Sequence, residues 1–257
     1  MFLVFNKDKM IAYGISIITV ILLFCAAGVM ITDNKDTVLT GTSAGNLLPI
    51  YKVDTKENNV ALTMNCAWND SDIDSILQTL KDNDCKVTFF MVGDWVKKYP
   101  EAAKKIKEAG HEIGTHSNTH PHVNNLDYEK NASELRESAK IIKETTGTDV
   151  KLYRTPYGEY NDTVIKVANE NGYIPIQWSL DTLDYTKLTG EQMWDRLKNK
   201  LTSGDIILMH NGTEHTADSL DMIIKNIKNT GFDVVRVSDI IYTENYTIDV
   251  NGVQKKN

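Results

Sequence analysis

Four of the chain's six histidines fall in one run, Gly110-His111-Glu112-Ile113-Gly114-Thr115-His116-Ser117-Asn118-Thr119-His120-Pro121-His122. His116 and His120 are four positions apart, and in a helical turn side chains at that spacing share a face. Neutral imidazole is a good ligand for zinc, cobalt or nickel, so one divalent cation could take both. A pair of solvated loop histidines is the plainer account of the same spacing. Other polar groups suited to acid–base work stand far apart in the chain: Asn65, Arg154, Asp181, Asp184 and His210. Whether they form a site depends on the elements that carry them.

Apolar runs of strand length alternate with amphipathic stretches of helix length along most of the chain. Strands are expected at 47–53, 60–64, 86–92, the histidine run itself, 150–154, 173–180, 205–209 and 234–237. Helices are expected from Asp70 or Ser71 through Leu80, and at 95–109, 127–145, 162–171, 190–201 and 217–229. Repeated strand–helix units imply an α/β fold, a parallel sheet with helices outside, either a barrel or an open doubly wound sheet. On that frame Asn65, His116, Arg154, Asp181, Asp184 and His210 each stand at or just past the C-terminal end of a strand. In a barrel those ends converge on one mouth, where catalytic groups collect.

A chain of 257 residues suits one domain of about two hundred residues with an appendage. With 28 basic and 35 acidic residues the net charge is −7, which argues against a nucleic-acid surface. The three cysteines, Cys25, Cys66 and Cys85, do not make a disulfide framework for a domain of this size. Residues 10–31 are apolar and uncharged over the length of a bilayer-spanning helix. Lys7 and Lys9 precede that stretch, so residues 1–9 are expected in the cytoplasm and the remainder on the exported side, in the cell envelope or spore. Ala26-Ala27-Gly28 offers the competing reading of a cleaved signal peptide, whereas Val29, Met30 and Ile31 prolong the apolar run and favour a retained anchor. Residues 32–46 read as a polar tether, 47–241 as the domain and 242–257 as a tail.

With ALTMNCAWND, HSNTH, RTPYG, DTLDY and LMH in this order, the chain resembles the polysaccharide deacetylases of carbohydrate esterase family 4, the NodB-homology fold, and among them the sporulation-type enzymes. The resemblance covers residues 47–241 and implies a distorted (β/α) barrel. It also implies removal of acetyl groups from an N-acetylated glycan such as peptidoglycan, with a divalent metal, zinc above all, on His116 and His120. His210 is then the general acid and Asp184, or else Asp181, the group that holds its imidazole. Arg154 would orient the base by charge, and the backbone N–H of Tyr157 would face the oxyanion.

The base position departs from the family pattern. An aspartate is expected after Thr63-Met64, where this chain has Asn65, and Cys66 stands where a metal-ligating aspartate often follows. An amide does not accept a proton near neutral pH. Cys66 could be a third ligand as thiolate or could pack behind the site. Asp70 and Asp72 could swing toward the metal or could cap the following helix. His111, His122 and His215 read as structural or solvated. Trp68, Tyr157, Trp178 and Tyr185 could stack on sugars, with core packing the alternative for Trp178. Two functional readings follow: a deacetylase of cell-wall glycan, and a catalytically impaired relative that binds glycan or metal. An envelope protein whose histidines merely pack is a third.

Overall fold

The computed structural model describes residues 47–257; the expected anchor and tether lie outside them. Among the described residues no helix is long and apolar enough to cross a membrane. The strands are β1 (Lys52–Val53), β2 (Asn59–Cys66), β3 (Thr88–Met91), β4 (Glu112–Thr115), β5 (Leu152–Tyr153), β6 (Ile174–Pro175), β7 (Leu180–Asp181), β8 (Ile206–His210), β9 (Asp233–Val235), β10 (Tyr246–Ile248) and β11 (Val253–Lys256). The helices are α1 (Ile73–Asp82), α2 (Gly93–Lys98), α3 (Pro100–Glu108), α4 (Tyr128–Thr146), α5 (Asp162–Glu170), α6 (Gly190–Leu197) and α7 (Thr216–Asn229).

Eight strands form one sheet in the order β6-β5-β4-β3-β2-β8-β7, with β9 paired to the first residues of β2, and every pairing in it is parallel. The sheet curls into an open barrel: β6 and β7 at its two ends do not pair. The α/β barrel expectation holds. Strand β2 is its axis, and its period-two alternation sorts the chemistry. Val60, Leu62, Met64 and Cys66 join the main apolar cluster with α1, α3 and α7, while Thr63 and Asn65 face the barrel interior, where Arg154 reaches them.

Several boundaries differ from the sequence reading for local reasons. The helix expected at 95–109 is two, because Pro100 clashes with a continuing helix and leaves Tyr99 at φ −128°, ψ 57°. The strand expected at 173–180 is β6 and β7, and between them the regular ladder gives way to single contacts, Ile176 bridging Ile50 and Ser179 N donating to Ile206 O (3.0 Å). Residues 242–257 are no loose tail: β10 and β11 form a hairpin, and β11 runs parallel to β1. Gln254, fully buried in β11, donates to Tyr242 O (2.6 Å) and accepts from Tyr242 N (2.9 Å).

The cap expected from Asp70 or Ser71 is not made: α1 begins after Asp72, whose side chain accepts no capping bond, whereas three later helices have side-chain caps. Asp127 caps α4 and Gly147 ends it at φ 73°; Asn161 caps α5, and Thr189 with Gln192 closes a capping box on α6. His111, before β4, is buried and accepts the Val87 N–H at Nδ1 (3.2 Å), and burial holds its pKa down at about 4. Unfolded imidazole takes its proton near pH 6.5, so below that pH the unfolded chain binds a proton that the folded chain refuses. The contribution is complete above pH 6.5 and drains as the pH falls toward 4, with a slope approaching about 1.4 kcal/mol per pH unit. Urea midpoints measured from pH 7 to 4.5 are expected to fall more steeply for the wild type than for His111→Gln.

Candidate active site

Strand register brings the expected residues to one level. Asn65 pairs with Phe90 on one side and His210 on the other; Thr115 pairs with Met91 and Tyr153, so His116 and Arg154 follow immediately at the same height. Asp181, ending β7, pairs with Leu208. Above this rim opens a cleft of about 480 Å³ whose lining includes Asn65, Trp68, His116, His120, Tyr157 and His210.

The histidine pair is not on a helix. Ser117 (φ 70°) and His120 (φ 59°) adopt left-handed backbone, and this loop rather than a helical turn brings the two imidazoles to 4.9 Å between ring centres. Glu134 on α4 pins the loop. Its Oε2 accepts from Ser117 Oγ (2.7 Å), Asn118 N (2.9 Å) and Thr119 N (2.8 Å), and its Oε1 from Thr119 Oγ1 (3.0 Å). Nothing in the HSNTH run points to Glu134, which only the packing of α4 reveals. His116 Nδ1 lies 2.8 Å from the Arg154 carbonyl, which can only accept; the proton is therefore on Nδ1 and the Nε2 lone pair is free. Burial lowers the pKa of both imidazoles, His116 furthest, so both are neutral at pH 7 and both are weak bases.

Arg154 is fully buried beneath Asn65. Its NH1 donates to Thr63 Oγ1 (2.7 Å) and Asn65 Oδ1 (3.1 Å), its NH2 to Gln177 O (3.0 Å), and the Phe90 ring lies 4.1 Å from the guanidinium carbon. Gly114 makes room for that ring: a Cβ there would stand 2.6 Å from it. None of these partners is an anion, the Arg154 Nε has no partner among the described residues, and burial lowers the guanidinium pKa to about 9. The arginine is set against position 65 as against a carboxylate, and the amide found there answers with one neutral oxygen.

On the opposite wall Asp184, with no exposed surface, accepts from His210 Nδ1 (2.8 Å), His210 N (2.6 Å) and Thr216 Oγ1 (2.7 Å). It is Asp184, not Asp181, that touches His210; Asp181 accepts from Leu183 N (2.7 Å) and its pKa is raised by burial. With Nδ1 committed to Asp184, His210 presents Nε2 as its proton-transfer atom. Tyr157, at φ 59°, lines the cleft and its N–H donates to no group among the described residues. Its ring stacks on His122 at 4.3 Å, and His122 pairs with Glu159 (2.8 Å). His215 precedes α7 at the surface, 3.8 Å from Glu214.

Two ligand expectations need correction. Cys66 follows Asn65 on β2 and so turns to the other face, where it is fully buried in the apolar cluster; burial, and secondarily Asp72, raise its pKa well above the usual thiol range. Asp70 stays at the start of α1 and does not line the cleft. Asp72 accepts from Gly212 N (2.7 Å) and Asn211 Nδ2 (3.2 Å), tying the β2–α1 loop to the β8–α7 loop. A catalytic zinc takes three protein ligands. His116 and His120 supply two neutral nitrogens, and no group of three or more His, Cys, Asp or Glu side chains among the described residues is arranged to hold a metal. This donor set does not fit a resident catalytic zinc.

Residues 52–176 match the family model for polysaccharide deacetylase. The solved structure of the peptidoglycan deacetylase PdaC from Bacillus subtilis is 30% identical, with a TM-score of 0.66 over 73% of this chain and 92% of that one. The chain belongs to the polysaccharide deacetylase family. Members named for their reaction, as PdaC is, are hydrolases of a carbon–nitrogen amide bond. Family likeness extends to a family 4 pseudoenzyme of Bacillus anthracis, 33% identical with a TM-score of 0.72 over 75% of this chain and 68% of that one. A mutant of that pseudoenzyme has restored enzymatic activity. The uncharacterized protein YlxY of Bacillus subtilis is 34% identical over 193 residues, 75% of this chain, which spans 60% of YlxY's length.

Proposed function

We propose that this protein binds N-acetylated peptidoglycan strands in the cleft and is a deacetylase in which the activation of water has been crippled while substrate recognition and leaving-group protonation are kept. One observation carries the reading: Asn65 stands where Arg154 is arranged to meet a carboxylate, and no other carboxylate lines the cleft. Amide hydrolysis needs a base for water, a donor for the oxyanion and an acid for the amine. Tyr157 N–H suits the second task and His210, held by Asp184, the third. The first has no good candidate, since His116 and His120 are weakened as bases by burial.

Zinc, cobalt or nickel would meet only the two imidazoles, so the reading includes weak metal uptake. It also includes an exported domain in the cell wall or spore, held to the membrane by residues 10–31 and the tether 32–46. That part rests on the apolar run and on Lys7 and Lys9 ahead of it. The test incubates the protein with purified peptidoglycan, N-acetylated or chemically de-N-acetylated, and measures co-sedimentation and acetate release together. Binding that prefers the acetylated polymer, with acetate release near background, is the expected result. Rapid release by the wild type would sink the crippled-enzyme reading, and indifference to acetylation would sink recognition of the acetamide.

A further inference from the structure

His122 has no part in the chemistry assigned above, yet three rings meet beside it. The Tyr157 ring lies nearly flat on His122, with centres 4.3 Å apart and planes 13° apart. The same ring meets His120 at 72°, with centres 4.5 Å apart. One phenol is thus in contact with two imidazoles from either side of Pro121. His122 is itself fastened: its Nδ1–H donates to Glu159 Oε1 (2.8 Å), and Glu159 stands two residues after Tyr157. Stack and hydrogen bond together lace the HSNTHPH loop to the RTPYG loop.

That lacing matters because of the backbone beneath it. Tyr157 and Gly158 are the central residues of a turn closed by Glu159 N donating to Pro156 O (3.1 Å), and both have positive φ, 59° and 68°. Turns of that kind are dominated by Gly, Asn and Asp, and a bulky side chain is strained there. Such strain persists only where the surroundings hold it. Burial does not hold Tyr157, which is 58% exposed. Its ring is held by the two imidazoles, and His122 offers the larger face. The Tyr157 N–H, the donor offered to an oxyanion, sits on the peptide that this φ orients. Relaxation to negative φ would turn that peptide relative to the cleft.

Resting on the proposed reading of the cleft, we infer that His122 is a positioning residue: its ring holds Tyr157 in the left-handed backbone that aims the N–H at the oxyanion. In this role His122 neither binds a cation nor moves a proton. It acts through the flat face of its ring.

The test is nuclear Overhauser spectroscopy of the wild type, His122→Ala and His122→Phe, read at the cross-peak between the Tyr157 amide and α protons, which is strong only at positive φ. The same two substitutions in Asn65→Asp protein are assayed for kcat and KM of acetate release. A strong peak is expected in the wild type, a weak one in His122→Ala, and a strong one again in His122→Phe, which keeps a flat ring for the stack. Both variants are expected to melt near the wild type, since the His122 side chain is 58% exposed. In the Asn65→Asp background His122→Ala is expected to lower kcat by about tenfold to a hundredfold with KM little changed, and His122→Phe to restore it. A strong peak in His122→Ala would show that the turn holds itself and would overturn the inference, as would a weak peak in His122→Phe. Should His122→Ala unfold, the peak in His122→Phe decides alone. Loss of the peak with kcat unchanged would also overturn it, by removing the Tyr157 N–H from the oxyanion. An inactive Asn65→Asp protein would count against the proposed base alone, and the peak would still decide the role of His122.

Discussion

Asn65→Asp is expected to raise acetate release from peptidoglycan by about a hundredfold to ten-thousandfold, the usual worth of a general base. The site is ready for the change. Asn65 Oδ1 already lies 3.1 Å from Arg154 NH1, so an aspartate of nearly the same shape would meet a guanidinium that hydrogen-bonds to no anion. Being paired, it would stay ionised at neutral pH and could take a proton from water near His116 and His120. The same substitution turns a bond from a guanidinium to a neutral amide oxygen into one between opposite charges in a buried setting, and hydrogen bonds to charged groups contribute about 1.5–3 kcal/mol. A higher melting temperature should therefore accompany the gain in rate, the reverse of the usual exchange between stability and function. Acetate release and calorimetric melting on the same preparation decide it. A stabilised but inactive variant would show that the cation site, not the base, is the limiting loss; a destabilised one would show that Arg154 is already satisfied.

Asp184→Ala is expected to destabilise the protein by about 3 kcal/mol or more, near 6–12 °C in melting temperature for a domain of this size. The carboxylate has no exposed surface and accepts three hydrogen bonds, from the His210 ring, the His210 backbone and Thr216 Oγ1. Truncation strands all three donors and opens a void at the start of α7, and buried donors left unmet cost about 1–3 kcal/mol each before any water enters. In an Asn65→Asp background the same change should also lower the residual rate, because His210 loses the partner that fixes its tautomer. Asp184→Asn separates the two effects: the amide keeps the volume and an acceptor oxygen, so most of the stability should return while the proton-transfer defect remains. Melting curves that barely move for Asp184→Ala would mean that the pocket refills with water at little cost.

Much of this architecture is legible in the sequence because periodicity and chemistry coincide. Asn65, His116, Arg154 and His210 each close a β-rich run, and the parallel register of β2, β3, β4, β5 and β8 then sets them at one height. Cys66 shows the limit: its face is dictated by period-two alternation from Asn65, yet motif position suggests a ligand, and packing decides for the core. Pro100 was a readable break within an apparently continuous helical pattern. Glu134 was not readable, because it serves a loop fifteen to seventeen residues away in sequence through a packing of α4 that no local pattern encodes. The hairpin at 246–256 escapes detection for a similar reason: its strands are short and polar on one face, and their partner β1 lies at the other end of the domain.

The anchoring of the HSNTH loop by Glu134 has an implication for how such a protein changes over time. The loop between the histidines is held by a carboxylate on α4, and the His116 ring by the Arg154 carbonyl, neither of them a group that a change at position 65 removes. Geometry and reactivity are thus separately encoded in this fold. A lineage could surrender turnover while keeping a receptor-shaped groove intact, because stability selection never has reason to dismantle the scaffold that catalysis once used.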